Sequence, residues 1–115
     1  MKIGVDLHGT LTQSLKPNKE IIRILRKLER GGDEIIIVTS GRKQLNNLIK
    51  IWLWIFRVPY RKLFCTGSPK GEAGQGKLDV IKEEEIGLFI DNDEQIVGFL
   101  RGNSINALSV KELLG

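Results

Sequence analysis

Asp6 and Asp91 each close a short apolar run, and between them stand a lysine, a pair of hydroxyls and the chain's only histidine. In "VDLHGTLT", residues 5 to 12, Asp6 precedes a Gly9-Thr10 turn, and His8 follows it by two positions. In "IIIVTSGR", Thr39, Ser40 and Gly41 follow a β-branched run. In "LFIDNDE", Asn92 and Asp93 come directly after Asp91, while Lys77 stands before that run. Paired carboxylates suit a hard cation with oxygen ligands, Mg²⁺ above all. A lysine and hydroxyls beside them suit the oxygens of a phosphoryl group.

Such residues can act together only if the elements bring them to one edge. "KIGVDL" at 2 to 7 reads as a strand, and Pro17 suits the first turn of a helix. Ile21, Ile22, Leu25 and Leu28 repeat at helical spacing until Gly31-Gly32. "EIIIVT" at 34 to 39 has the composition of a strand buried on both faces. A second helix is expected over 43–57, ended by Val58-Pro59, then a strand at 62–65 and a glycine-rich loop at 67–76. A helix at 77–85, a strand at 87–91, a short helix in "EQIVGFL" and a weak strand at 105–110 complete the pattern. Alternating strands and helices predict an α/β fold, with a Rossmann-like parallel sheet and helices on both faces. The ligand site of such a sheet lies at the carboxyl ends of its strands.

With that placement, the four segments resemble the four motifs of the haloacid dehalogenase-like superfamily, in order and over most of the chain. The resemblance implies a phosphatase working through an aspartyl-phosphate on Asp6. Asp6 is taken as ionised at neutral pH, since an aspartate titrates near ~3.9. Thr39, or Ser40 as its alternate, would hold a phosphoryl oxygen beside Gly41. Lys77 would neutralise charge, with Lys70 the weaker candidate. Mg²⁺ would be held by Asp6, the backbone carbonyl of His8 and Asp91. Asn92 stands where many members have a second aspartate, so Asp93 would support the metal from outside its ligand set. Plainer roles for three of these residues are a strand-end hydroxyl for Thr39, a solvated helix start for Lys77 and a helix N-cap for Asp93. Members often insert a cap domain. The spacing here leaves room for none, so 1–115 is expected to be one open, capless domain.

His8 departs from the pattern. Most phosphatases of the family carry an aspartate at that place, which protonates the leaving oxygen and then activates water. An imidazole can do both in principle. A neighbouring Mg²⁺ and Lys77 would nevertheless disfavour its cationic form. P-type ATPases also lack this aspartate, and their phosphoenzyme persists. His8 is therefore either a working acid/base or a loss of activity, and a degenerate phospho-ligand-binding module is the alternative to an enzyme.

The remaining features bound the partners. Charge is +4 with a pI of about 9.4, which favours anionic ligands. Cations are interspersed with acids over most of the chain, and no aromatic-studded basic stripe stands out, so nucleic-acid binding is a third choice behind a small phosphorylated metabolite. The stretch "WLWIFRVPYRKLF" is similar to one in capless family members acting on sugar or nucleotide phosphates. Its two tryptophans lie about 200° apart on a helix, so one is expected at the surface, favouring a homo-oligomer through the helix at 43–57. One cysteine, Cys65, excludes an internal disulfide. No signal-like or membrane-spanning segment is evident, and a cytoplasmic location is expected.

Overall fold

In the computed structural model, residues 1–69 and 71–115 are described; Lys70 lies outside them. The elements run β1 (Lys2–Val5), β2 (Thr12–Gln13), β3 (Lys16–Pro17), α1 (Lys19–Arg30), β4 (Glu34–Thr39), α2 (Asn46–Ile55), β5 (Lys62–Cys65), α3 (Ala73–Glu83), β6 (Leu88–Asp91), α4 (Glu94–Gly102), β7 (Ala107–Ser109) and α5 (Val110–Leu114). A single 3₁₀ turn, Lys43–Leu45, leads into α2.

Five strands form a parallel sheet in the order β5-β4-β1-β6-β7. The chain leaves central β1 for β4 and β5 on one side, then returns to β6 and β7 on the other. The crevice between β1 and β6 is therefore the topological switch point, where α/β sheets bind ligands. β1 pairs with both neighbours in a register that aligns Val5 with Ile37 and with Ile90. Asp6 and Asp91 each lie one residue past this level, and Asp6 N–H donates to the Ile90 carbonyl at 2.9 Å.

The apolar strands face two cores, as their unbroken β-branched composition requires. Ile21, Ile22 and Leu25 of α1 join Ile49 and Leu53 of α2 on one face. Leu78 and Ile81 of α3 join Val97 and Leu100 of α4 on the other. The architecture is the expected Rossmann-like α/β sheet with helices on both faces.

Three expected element bounds shift, each for a local reason. Pro17 does not open α1: it pairs with Thr12 in a small antiparallel hairpin, β2–β3, and Asn18 caps the helix instead. The hairpin tip holds Ser14 and Leu15 in left-handed conformations, φ 49° and 68°. The indole of Trp52 fixes it, donating to the Leu15 carbonyl at 3.1 Å. The glycine-rich segment is loop only in part, because α3 starts at Ala73. Gly74 and Gly76 sit inside the helix, where a Cβ would strike the Phe99 ring and the Ser68 hydroxyl, respectively. At the far end, Ser109 forms a capping box with Glu112 and turns the last residues into α5.

Candidate active site

Lys77 is the hub of the site. It lies a full turn inside α3, and only 3% of its surface is exposed. Its ammonium donates to Asp6 Oδ1 at 2.9 Å and to Asp91 Oδ2 at 2.6 Å. A solvated helix start, the plainer role for this residue, does not describe it. Asp6 and Asp91 are buried too, at 5% and 0% exposure. Burying three charges is costly unless they neutralise one another, and two ion pairs on one lysine achieve this.

Burial, followed by the charge of Asp91, pushes the Asp6 carboxyl up to about 7 from its ordinary 3.8. Lys77 and the Thr10 hydroxyl, 3.3 Å from Asp6 Oδ2, pull the other way without prevailing. Desolvation thus opposes the ionisation of Asp6 that the sequence leads one to expect at neutral pH. Burial alone would lower Lys77. The two carboxylates outweigh it and hold the ammonium above the usual lysine range.

The other oxygens of the two aspartates turn toward a second convergence. Asp6 Oδ2, the His8 backbone carbonyl and Asp91 Oδ1 lie at 3.1, 3.1 and 3.2 Å from the Asn92 amide nitrogen, in the amide orientation that three acceptors require. An N–H donor so placed stands where positive charge is wanted. Two carboxylate oxygens and a carbonyl are also the hard donors that Mg²⁺ accepts. The residues therefore fit the ion expected from the sequence. Among the described residues, no three His, Cys, Asp or Glu side chains cluster as a metal cage would, so water and substrate would complete the shell.

The loop after β1 creates the carbonyl's position. Leu7 O accepts from the backbone N–H groups of Leu11 and Thr12 at 2.9 and 3.1 Å, coiling the chain tightly. Gly9 sits at φ +82°, and an added Cβ would lie 2.6 Å from Asn92 Cγ. Glycine is needed there for both backbone and space. His8 is exposed, beside a hollow of about 490 Å³ lined also by Thr12, Gln13 and Leu15. The Thr12 hydroxyl in that wall is buried with no hydrogen-bond partner among the described residues.

Thr39 ends β4, is 1% exposed, and accepts the Gly41 N–H at 3.2 Å. That bond occupies a lone pair and leaves the hydroxyl hydrogen free to donate. Ser40 and Gly41 are half-buried in the same turn. The Asp93 carboxylate accepts from Gln95 and Ile96 N–H groups at 2.9 and 3.4 Å, so it caps α4. Its backbone N–H donates to Asp91 Oδ1 at 3.0 Å, which steadies Asp91. The support that Asp93 lends the expected metal ligands thus comes through its backbone. Sequence reasoning missed the central place of Asn92, although its position beside Asp91 was the available signal.

No known protein-family model matches the sequence, and no curated protein does. Solved structures do resemble it. A chain in a structure of the Pnkp1/Rnl/Hen1 complex superposes with a TM-score of 0.77 at 19% identity over 95% of this chain. One in a structure of the Pnkp1/Rnl/Hen1 RNA repair complex gives 0.78 at 18% over 95%. This chain spans 45% and 42% of those two chains, less than half of either. The core domain of a candidate phosphoglycolate phosphatase from Streptococcus pneumoniae TIGR4 gives 0.60 at 14%, over 94% of this chain and 77% of that one. No helix among the described residues is long and apolar enough to cross a membrane. The chain shares with these structures a Rossmann-like α/β fold.

Proposed function

We propose that the protein is a Mg²⁺-dependent phosphatase that transfers the phosphoryl group of a small phosphorylated substrate to Asp6 and then to water. The observation that carries this reading is the double convergence on Asp6: one oxygen meets Lys77 and the other meets the oxygens of His8 and Asp91. A purely structural ion pair has no need of the second meeting point.

Mg²⁺ held by Asp6, the His8 carbonyl and Asp91 would supply charge neutralisation for the phosphoryl oxygens and would favour the ionised form of Asp6. Lys77 fixes Asp6 and Asp91 at the switch point and shields their mutual repulsion. The Thr39 hydroxyl, which accepts the Gly41 N–H and keeps its hydrogen, would donate to a phosphoryl oxygen, with Ser40 the alternate. An Asp6 oxygen then attacks phosphorus as the bond to the leaving oxygen breaks. His8, exposed beside the hollow, would give the leaving oxygen a proton and later take one from water.

The test is phosphate release from phosphorylated sugars, nucleotides, nucleic-acid ends and an aryl phosphate, with and without Mg²⁺. The solved neighbours in an RNA repair complex put nucleic-acid ends in that panel. Release that requires Mg²⁺ and is abolished in Asp6→Asn, with the fold retained, is the expected result. Full activity in Asp6→Asn rules the mechanism out. Tight phosphate-ester binding without turnover would instead favour the phospho-ligand-binding module.

A further inference from the structure

We infer that the protein carries a second anion site, at the sheet end opposite Asp6, that binds a phosphate-bearing aromatic ligand: a nucleotide, free or within a single strand. The C-terminal ends of α1 and α2 and the turn into β5 enclose a cleft of about 830 Å³ there, which includes Arg26, Arg30, Arg57, Trp54 and Tyr60, with Glu29 its one acid. This volume is in the usual range for ligand sites.

Two helix C-termini would ordinarily make this end electronegative. Arg26 counters that effect, donating to the Phe56 and Arg57 carbonyls at 3.3 and 3.2 Å. The same bonds steady Arg57, whose backbone is left-handed at φ 52°. Arg30 and Arg57 are exposed and make no ion pair among the described residues. Beside them Trp54 is 79% exposed, a large aromatic surface with no protein contact to explain it. Guanidinium groups next to a free indole are the pairing that phosphates and stacked bases exploit.

Of the neighbouring cations at this end, Arg61 and Lys62 pair with Glu34 and Glu84, and Arg26 with carbonyls, which leaves Arg30 and Arg57 as the cations facing the cleft without an ion pair among the described residues. The composition as a whole conceals this, and so does the linear sequence, because the arginines come from two elements. α2 itself carries one cation, Lys50, so the charge offered to a phosphate here comes from Arg30 and Arg57 at the helix ends. The site shares no residue with the catalytic cluster, and its test is independent of the phosphatase reading.

The test measures fluorescence anisotropy of labelled oligo(dT) and oligo(U) strands, with a mononucleotide as competitor and poly(glutamate) as the acidic-peptide control. The intact protein should bind the strands at micromolar concentration, with affinity falling steeply with salt. Arg30→Glu combined with Arg57→Glu should weaken binding more than about tenfold and reduce the salt slope by about 1 to 2. Trp54→Ala should weaken binding about fivefold or more and remove any fluorescence quenching by the ligand. Neither change should alter phosphate release. Competition by the mononucleotide at strand-like affinity assigns the site to a free nucleotide and supports the cleft. No binding by the intact protein, equal binding by the variants, or equally tight poly(glutamate) binding overturns the proposal.

Discussion

Replacing Lys77 with methionine keeps the length of the side chain and removes the one cation between two buried carboxylates. The side chains of Lys77, Asp6 and Asp91 are 3%, 7% and 1% exposed, so water cannot take over. Breaking such a pair costs about 3–5 kcal/mol, a large part of the ~5–15 kcal/mol that holds a domain together. The cost should depend on pH, with a definite sign. Asp6 is raised from 3.8 to about 7 in the native protein. The stability contributed by its native-state proton is full below 3.8 and is lost as pH rises through about 7. Above that point the native state no longer holds the extra proton, and this contribution to the slope vanishes. Lys77 is one of the groups that lower Asp6, so in Lys77→Met the carboxyl holds its proton to higher pH. The variant should therefore keep losing about 1.4 kcal/mol per pH unit where the native protein has levelled off. Urea unfolding followed by tryptophan fluorescence, with chelator present, measures both. The gap should be smallest near pH 5.5 and about 1 to 2 kcal/mol wider near pH 8.5. Millimolar Mg²⁺ should recover part of the loss by binding only the native state. A deficit under about 1 kcal/mol near pH 8.5, or one that ignores pH, would refute the reasoning.

Gly9→Ala forces a side chain onto a backbone at φ +82° and into Asn92, so it should cost about 1–3 kcal/mol in unfolding experiments and weaken Mg²⁺ binding by calorimetry. His8→Asp should raise alkyl-phosphate turnover at least about tenfold, about 1.4 kcal/mol off the barrier, and change aryl phosphates less, because those leave without a proton. If it falls as far as His8→Ala in steady-state assays, the imidazole is a tuned catalyst rather than a loss. Trp52→Phe removes the indole bond to Leu15, which should cost about 0.5–1.5 kcal/mol and speed amide exchange in the 12–17 hairpin selectively. Unchanged exchange there would mean that the hairpin holds itself.

The parts of this protein that could be read in advance are those where one signal dominates. β4 was bounded to the residue because a run with five of its six positions buried leaves little ambiguity, and Asp6 and Asp91 were found because each ends an apolar run. The hairpin was illegible: two-residue strands carry no periodicity, and their anchor is an indole 37 residues away. The start of α3 was misplaced because glycine reads as loop, while here Phe99 and Ser68 take the space of its missing side chains. Asn92 looked like a missing aspartate, since its amide has meaning only once three oxygens surround it. The electropositive cleft was hidden for the same reason, its arginines being divided between α1 and the end of α2.

The alignment of Val5 with Ile90 has a consequence for descent. Main-chain bonding between β1 and β6 sets the spacing of the Asp6 and Asp91 carboxylates, and backbone amides do not care which apolar side chain they carry. The sheet thus works as a ruler marked in peptide units. Nearly every strand residue can be exchanged for another of similar bulk without moving a mark, and only a slip of register would spoil the measurement. Lineages using this ruler are free to lose textual likeness long before they lose geometry. This chain shows the same separation of shape from text: solved structures share its fold at 14–19% identity, and no family model or curated protein matches its sequence.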